Sequence, residues 1–423
     1  MTMRVHPVAT IVIFLTALVL AYFVWSRLRR KRIELLLPAE YDLPSLFRSL
    51  AALTWGHVTE GNRVEIVQNS GFFDAMLDDV ARATHSIHLE TFLWRDSAIS
   101  DRMTVGLCAR AKEGIEVRVL VDQRGAKKTS TETWGRLRAA GVDFRVYHRM
   151  RFREFARYNQ RDHRKIVVID GRIGYTFGHG VDDMWGGDAE HPDGWRDTGA
   201  RFEGPIVGEL QAAFFDNWAV TTGRLPAGDA YFPSLPGAGD TPVFVAYIQQ
   251  NETPSAVQRL YYFAIAAAKR EIVIQNPYFL PDRQALSLFA AAVGRGVQVS
   301  IMLPTSATSD FSIVQHASHH YYGALLAMGV RVYEHTASGL HQKVMIIDGE
   351  LCTIGSANFD PRSFRINEEI SVAILDTKIA AELRQAFDAD VRNSELWTME
   401  RWRGRSIRHK LRDRLSALCK REL

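Results

Sequence analysis

The sequence predicts an α/β fold of two similar lobes that form one active site between them, preceded by one N-terminal transmembrane helix. Three observations lead there. An order of strand-like and helix-like segments occurs twice, each copy ends in the same His-x-Lys pattern, and a charge-free apolar stretch stands near the start of the chain. At 423 residues, 47% hydrophobic and 24% charged, the chain can bury two substantial lobes and is too apolar for wholesale disorder.

In the first copy, Ile87 to Phe92 reads as a strand, a helical stretch follows around Val105 to Lys112, and Gly114 ends it before a second strand through Asp122. The second copy repeats the order with Ile272 to Asn276, a helix through Leu286 to Val293, and a strand after Gly296. Ala140 to Tyr147 corresponds to Met328 to Tyr333. Each copy then reaches its signature, HRKIVVIDGRIGYTFG from His163 and HQKVMIIDGELCTIGS from His341, so one repeat is roughly 180 residues long. Strands alternating with helices imply α/β lobes around strand-rich sheets. The expected organisation is a membrane anchor at 7–26, a basic linker segment at 27–60, lobe 1 at 61–232, a Pro/Gly-rich linker at 233–242, lobe 2 at 243–398, and a basic amphipathic tail at 399–423.

The stretch PVATIVIFLTALVLAYFVW, from Pro7 to Trp25, carries no charge and approaches the roughly 20 residues that span a bilayer as a helix. It runs directly into Arg27, Arg29, Arg30, Lys31 and Arg32, whereas only Arg4 precedes it, so the charge bias holds the following body on the cytoplasmic side. Cys108, Cys352 and Cys419 lack metal or disulfide spacing, in keeping with a reducing compartment. A segment from Ser45 to Leu53 places Leu46, Phe47, Leu50 and Leu53 on one helical face, to lie either on the membrane or on the body. From Arg401 onward nine basic residues face only Asp413 and Glu422. Ile407, Leu411, Leu415 and Leu418 form an apolar stripe there, with Arg408, Lys410, Arg412 and Arg414 largely away from it and Trp397 and Trp402 before it. That is the pattern of a helix on an anionic leaflet.

The signatures carry the chemistry. His163 and Lys165, like His341 and Lys343, stand at i and i+2 at the start of an apolar run, and on a strand these positions share a face. Two lobes facing each other would gather two imidazoles and two ammonium groups around one cavity. Such a cavity suits a phosphodiester anion: the lysines neutralise its nonbridging oxygens, one histidine attacks phosphorus, and the other protonates the leaving alkoxide. No metal or other cofactor is called for. A single His-x-Lys says little, but two copies at equivalent places in one repeat say a good deal.

At this point the chain resembles the phospholipase D superfamily, and within it the bacterial cardiolipin synthases, from about Asn62 to Trp397. The second signature is complete, with Gly355-Ser356-Ala357-Asn358-Phe359-Asp360-Pro361-Arg362-Ser363 and Asn367-Glu368-Glu369 following Asp348. Trp195-Arg196-Asp197-Thr198 and Asn276-Pro277-Tyr278 also match. The resemblance implies phospholipase D-like lobes with His163, Lys165, Asp170, His341, Lys343 and Asp348 in the site. It further implies that Asp197 and Glu369 hydrogen-bond the far nitrogens of the catalytic histidines, each within its own lobe, and that Ser356 and Asn358 bind phosphate. The first signature departs from the family where Phe177-Gly178-His179-Gly180 replaces two glycines and a later asparagine. Gly180 removes an expected phosphate donor, Phe177 adds bulk near the site, and His179 is a candidate substitute.

The reaction expected from the resemblance is phosphatidyl transfer to make cardiolipin, with phosphatidylglycerol as donor, His163 as nucleophile and His341 as general acid and then base. Attack by water, as in a phospholipase D, and nuclease activity are the alternatives. The anchor and basic tail favour lipid substrates at an anionic inner membrane. The slightly acidic body argues against nucleic acid. The acceptor stays open among a second phospholipid, a free alcohol and water, and two motifs in one chain require no oligomer.

Overall fold

The computed structural model describes residues 14–18, 21, 40–147, 160–189, 191, 193–248 and 254–418. Two compact units are present, residues 1–36 and 37–423. In the first, residues 14–18 are helical. Most of the expected span at 7–26, and all of the basic run at 27–32, lie outside the described residues. Among the described residues no helix is long and apolar enough to cross a membrane.

Among the described residues, the second unit is built on a mixed sheet of fifteen strands, with β7 and β13 forming a small separate pair. The first half contributes β1 (Thr59–Gln68), β2 (Ser86–Thr91), β3 (Glu116–Asp122), β4 (Asp143–Tyr147), β5 (Ile166–Ile169), β6 (Ile173–Phe177), β7 (Trp195–Arg196) and β8 (Thr198–Glu203). The second contributes β9 (Thr241–Tyr247), β10 (Glu271–Gln275), β11 (Gln298–Pro304), β12 (Arg331–His335), β13 (Gly339–Leu340), β14 (Val344–Ile347), β15 (Leu351–Gly355), β16 (Ile370–Leu375) and β17 (Ser394–Leu396). From the centre outward the halves read β1-β8-β6-β5-β2-β3-β4 and β9-β16-β15-β14-β10-β11-β12, with β17 added at the far edge. The duplication is therefore a pseudo-symmetric sheet joined through the antiparallel β1–β9 pair. These two first strands escape the sequence pattern. β1 reads TEGNRVEIVQ, with Arg63 and Glu65 exposed on either side of buried Val64. β9 begins at Thr241, inside the segment expected to be linker.

Helices Ala98–Lys112 and Thr131–Ala139 join the parallel strands β2, β3 and β4, while Arg283–Gly294 and Ser312–Met328 do the same for β10, β11 and β12. The motif strands β5 and β14 lie antiparallel beside β2 and β10. Their continuous apolar runs follow from burial on both faces. In β5, Ile166 and Val168 join a core that extends into the second half, whereas Val167 and Ile169 join the core under the first-half helices. Helix Leu43–Leu53 opens with a capping box between Asp42 and Ser45. It packs on the body, burying Leu46, Phe47 and Leu50, with the Phe47 ring 4.8 Å from that of Phe244.

Each motif strand ends in an Asp-Gly turn. Asp170 and Asp348 both take φ of 55°, and Gly171 and Gly349 follow at 62° and 65°, the paired positive φ of a primed hairpin turn. Arg172 N–H to Ile169 O at 2.9 Å and Glu350 N–H to Ile347 O at 3.0 Å close them. The Asp170 carboxylate accepts from the amides of Thr84, His85 and Ser86, and that of Asp348 from Lys269, Arg270 and Glu271. Each aspartate ties its turn to the entry of the neighbouring strand. Asp348→Ala should therefore lower unfolding free energy by about 2–3 kcal/mol, as unpaired amides and a positive-φ alanine combine, and Asp348→Asn should cost less. Equal urea midpoints for Asp348→Ala and wild type would contradict this role.

Candidate active site

His163 and Lys165 stand in the extended segment that enters β5, and His341 and Lys343 in the segment that enters β14. The strands proper begin one residue later, at Ile166 and Val344. The intervening residues face away from the histidines and fasten the halves. Arg164, fully buried, donates to Ala213 O at 2.7 Å, and across the halves to Ile248 O at 2.7 Å and Glu368 Oε2 at 3.2 Å. Gln342 Nε2 donates in the opposite sense, to Thr198 Oγ1 at 2.8 Å.

The expected pairing of each histidine with a carboxylate of its own lobe is corrected by the geometry. His163 Nδ1 lies 2.9 Å from Glu369 Oε2, and His341 Nδ1 lies 2.8 Å from Asp197 Oδ2, so both pairs cross between the halves. The backbone explains why. His163 N–H donates to Glu368 O at 2.9 Å, and His341 N–H donates to Arg196 O at 2.8 Å. Each histidine is thus hydrogen-bonded to the residue just before the other half's carboxylate. β13 pairs with β7 in the same way, as does the isolated bridge between Asp162 and Glu368. With Nδ1–H donated to a carboxylate, each imidazole keeps an unprotonated Nε2, and that of His341 lies 2.9 Å from Lys343 Nζ.

The carboxylates are held differently. Glu369 accepts from Ser356 Oγ at 2.5 Å, Ser363 Oγ at 2.8 Å and Asn367 Nδ2 at 3.2 Å. Asp197 accepts from the indole Nε1–H of Trp185 at 3.0 Å and from Thr198 N–H at 2.8 Å. Ser356 is therefore spent on Glu369. At its counterpart Gly178, an added Cβ would stand 2.3 Å from Asp197 Oδ1, so no serine fits, and Trp185 supplies the missing donor. The same indole fills the space above Gly180, where a Cβ would meet Trp185 and Leu93 at 2.8 Å. Phe177 is placed otherwise than expected: its ring packs 4.3 Å from Phe72, in the core. His179 is no phosphate donor either, since its ring stacks on Phe72 and its Nε2 lies 3.1 Å from Asn69 O, to which it donates.

A cavity of about 560 Å³ opens over both histidines, Lys165 and Asn358. Burial pushes His163 down to about 4, against the pull of Glu369, and holds His341 well below the imidazole range, with Lys343 and Lys165 adding to the effect. Both imidazoles are neutral at pH 7. Burial also lowers Lys165 to about 8 and Lys343 to about 7, although Glu369 and Asp197 oppose it. Burial alone would raise Glu369, but His163, Lys165 and Ser356 hold it below the usual range. An anion entering this cavity would meet ammonium groups screened by little water.

A family model described as "Cardiolipin synthase, PLD-like domain" matches residues 76–183 and 262–391, more than half of the chain. The chain belongs to this family. The major cardiolipin synthase ClsA of Bacillus subtilis (strain 168) is 31% identical over 384 residues, covering 90% of this chain and 79% of the relative. Cardiolipin synthase 1 of Staphylococcus epidermidis is 32% identical over 379 residues, covering 88% and 76%. Among solved structures, phosphatidylserine synthase from Haemophilus influenzae Rd KW20 superposes with a TM-score of 0.67 at 14% identity, covering 85% of this chain and 95% of that one. Polyphosphate kinase from Porphyromonas gingivalis gives 0.54 at 13%, covering 87% and 53%. At these identities the structural likeness speaks for the fold alone.

Within this cardiolipin synthase family framework, the geometry gathers His163, Lys165, His341, Lys343, Asp197, Glu369 and Asn358 at one place. Asn358 Oδ1 is buried without a partner there. Asp170 and Asp348 sit at the far ends of β5 and β14, and Ser356 stands behind Glu369. Motif reading missed Trp185, whose ring centroid is also 5.3 Å from that of His341, and Arg95, Arg124 and Arg161, which line the cavity together with Arg362 of the second signature. Nothing in the sequence spacing of Arg95, Arg124 and Arg161 marks them.

Asp197→Asn and Glu369→Gln should each reduce kcat by about 10²–10⁴, because the wrong tautomer is then favoured. Trp185→Phe keeps the ring and loses the N–H, so kcat should fall roughly 10-fold with little change in KM. Unchanged kcat in Trp185→Phe would remove the indole from the site's support.

Proposed function

We propose that the protein is a membrane-held phosphatidyltransferase that makes cardiolipin from phosphatidylglycerol through a phosphohistidine intermediate. One observation carries this reading: both imidazoles open onto the same cavity, each oriented by a carboxylate of the opposite half, with Lys343 Nζ 2.9 Å from His341 Nε2. His163 Nε2 attacks phosphorus as the bond to the glycerol oxygen breaks, and His341 Nε2 gives that oxygen a proton. The hydroxyl of a second phospholipid then loses its proton to His341 while its oxygen attacks phosphorus and the N–P bond breaks. The bound phosphodiester offsets the charge of Lys165 and Lys343, which raises His341 and lets it hold the proton it must donate. Asn358 hydrogen-bonds the phosphate. The curated relatives named cardiolipin synthase support the choice of transfer over hydrolysis.

The apolar segment at 7–26 anchors the chain in the inner membrane with the body on the cytoplasmic side. The exposed Ile407, Leu411 and Leu415 of helix Ile407–Leu418 support contact with an anionic leaflet.

Lipid mass spectrometry after incubating the purified enzyme with phosphatidylglycerol vesicles should find cardiolipin and released glycerol. Phosphatidic acid as the main product would instead make it a hydrolase. Because a neutral His163 forms above about 4 while Lys343 and Lys165 lose charge through about 7 and 8, kcat/KM should rise through the first range and fall through the second. A kcat/KM that keeps rising above pH 8 would exclude the two ammonium groups as the phosphate clamp.

A further inference from the structure

Helix Ser312–Met328 begins at the cavity, where Phe311 and Val314 are part of the wall, and runs outward to meet the C-terminal helix Ile407–Leu418. The face that the C-terminal helix turns inward includes polar groups, Asp413 and Ser416, both buried, while its apolar stripe at Ile407, Leu411 and Leu415 faces out. A carboxylate buried between two helices needs compensation, and Asp413 has only part of it. Its Oδ2 is paired with Arg405 Nη1. Its Oδ1 has no hydrogen-bond partner and faces two imidazole nitrogens, His316 Nδ1 at 3.6 Å and His319 Nδ1 at 3.9 Å, both too long for hydrogen bonds. His316 Nδ1 is likewise buried without a hydrogen-bond partner.

The opposite side of the cluster is better ordered. His319 Nε2 lies 2.7 Å from Glu334 Oε1, which also accepts from Gln315 Nε2 at 3.0 Å and Tyr322 Oη at 3.0 Å. The Nε2 proton is thereby placed toward the carboxylate, and the Nδ1 lone pair is left pointing at the cluster. A carboxylate on the far nitrogen is the usual support of a metal-bound histidine.

We propose that His316 Nδ1, His319 Nδ1 and Asp413 Oδ1 form a site for a divalent transition-metal ion, zinc being the best fit to two imidazoles and one carboxylate, with water as fourth ligand. The three donor atoms lie within 4.8 Å of one another. Bonds of about 2.0–2.1 Å to zinc hold tetrahedral ligands about 3.3 Å apart, so closing the shell draws the two imidazole nitrogens in from their 3.6 and 3.9 Å distances to Asp413 Oδ1 and toward each other, a movement of at most about 1.5 Å. Two buried carboxylates, Asp413 and Glu334, stand against the Arg405 guanidinium, with Arg412 adding positive charge beside His316. The ion would fasten the C-terminal helix to the one that reaches the cavity wall, with its apolar stripe and Arg408, Lys410, Arg412 and Arg414 left to face their surroundings.

The test uses the full chain, purified in detergent without a histidine tag, stripped with EDTA and then titrated with zinc, cobalt or magnesium. Expected are about one zinc ion per chain by elemental analysis, the visible absorption of tetrahedral cobalt, and a Tm rise of about 3–5 °C with zinc but not magnesium. Asp413→Asn and His316→Gln should each abolish the cobalt spectrum and the zinc-dependent shift. If one variant does not fold, the other decides. A wild-type chain that takes up no stoichiometric zinc, or whose Tm shift persists in either folded variant, overturns the proposal. So does stabilisation by acid alone, the mark of protonated histidines paired with Asp413.

Discussion

The site depends on two backbone hydrogen bonds that cross the molecule, His163 N–H to Glu368 O and His341 N–H to Arg196 O. Each sets the chain that bears a catalytic histidine beside the chain that bears the other half's carboxylate. The side-chain pairs His163–Glu369 and His341–Asp197 then follow from adjacency. Neither half can orient its own imidazole. The buried Arg164 and Gln342, which alternate with the histidines and lysines, hold the same contact from the opposite side of the segment. Separation of the halves would therefore strand charged and polar groups, a strong constraint on their relative placement.

Pseudo-symmetry in the backbone does not extend to the chemistry around each dyad. Glu369 is gripped by two hydroxyls and an amide, Asp197 by an indole and a backbone N–H. The departure of the first signature from the family pattern is local repacking: Gly178 yields to the Asp197 carboxylate, and Trp185 takes both the space over Gly180 and the donor role of a serine. The aromatic surroundings differ in step, Phe92 beside His163 and Trp185 with Trp195 beside His341. Two equivalent motifs thus acquire unequal environments.

Burial gives the cavity its electrostatic character. Four titratable groups, the lysines Lys165 and Lys343 that water would leave protonated and the histidines His163 and His341 that it would leave partly so, are all shifted toward their neutral forms. The cavity therefore stores unfavourable charge that a phosphodiester anion relieves, and the buried carboxylates behind the histidines keep the lysines from discharging entirely. Arg95, Arg124 and Arg161 on the wall, outside both motifs, extend the positive surface beyond the reacting phosphorus.

The sequence by itself determined the duplication and the α/β class, and singled out His163, Lys165, His341 and Lys343 as candidates, because alternation and apolar runs are local properties that a strand buried on both faces must display. It drew Asp170 and Asp348 into the site, whereas each stands in the Asp-Gly turn at the far end of its strand and ties that turn to the neighbouring strand. It did not reveal β1, whose mixed polar and apolar residues acquire meaning only at the centre of the sheet, or the start of β9, which lies inside the Pro/Gly-rich stretch. Nor could it say which carboxylate serves which histidine, or that Trp185 substitutes for a serine. Those are contacts between residues distant in the chain, and pairing across the two halves is decided by how the lobes dock, which no spacing within a single copy encodes.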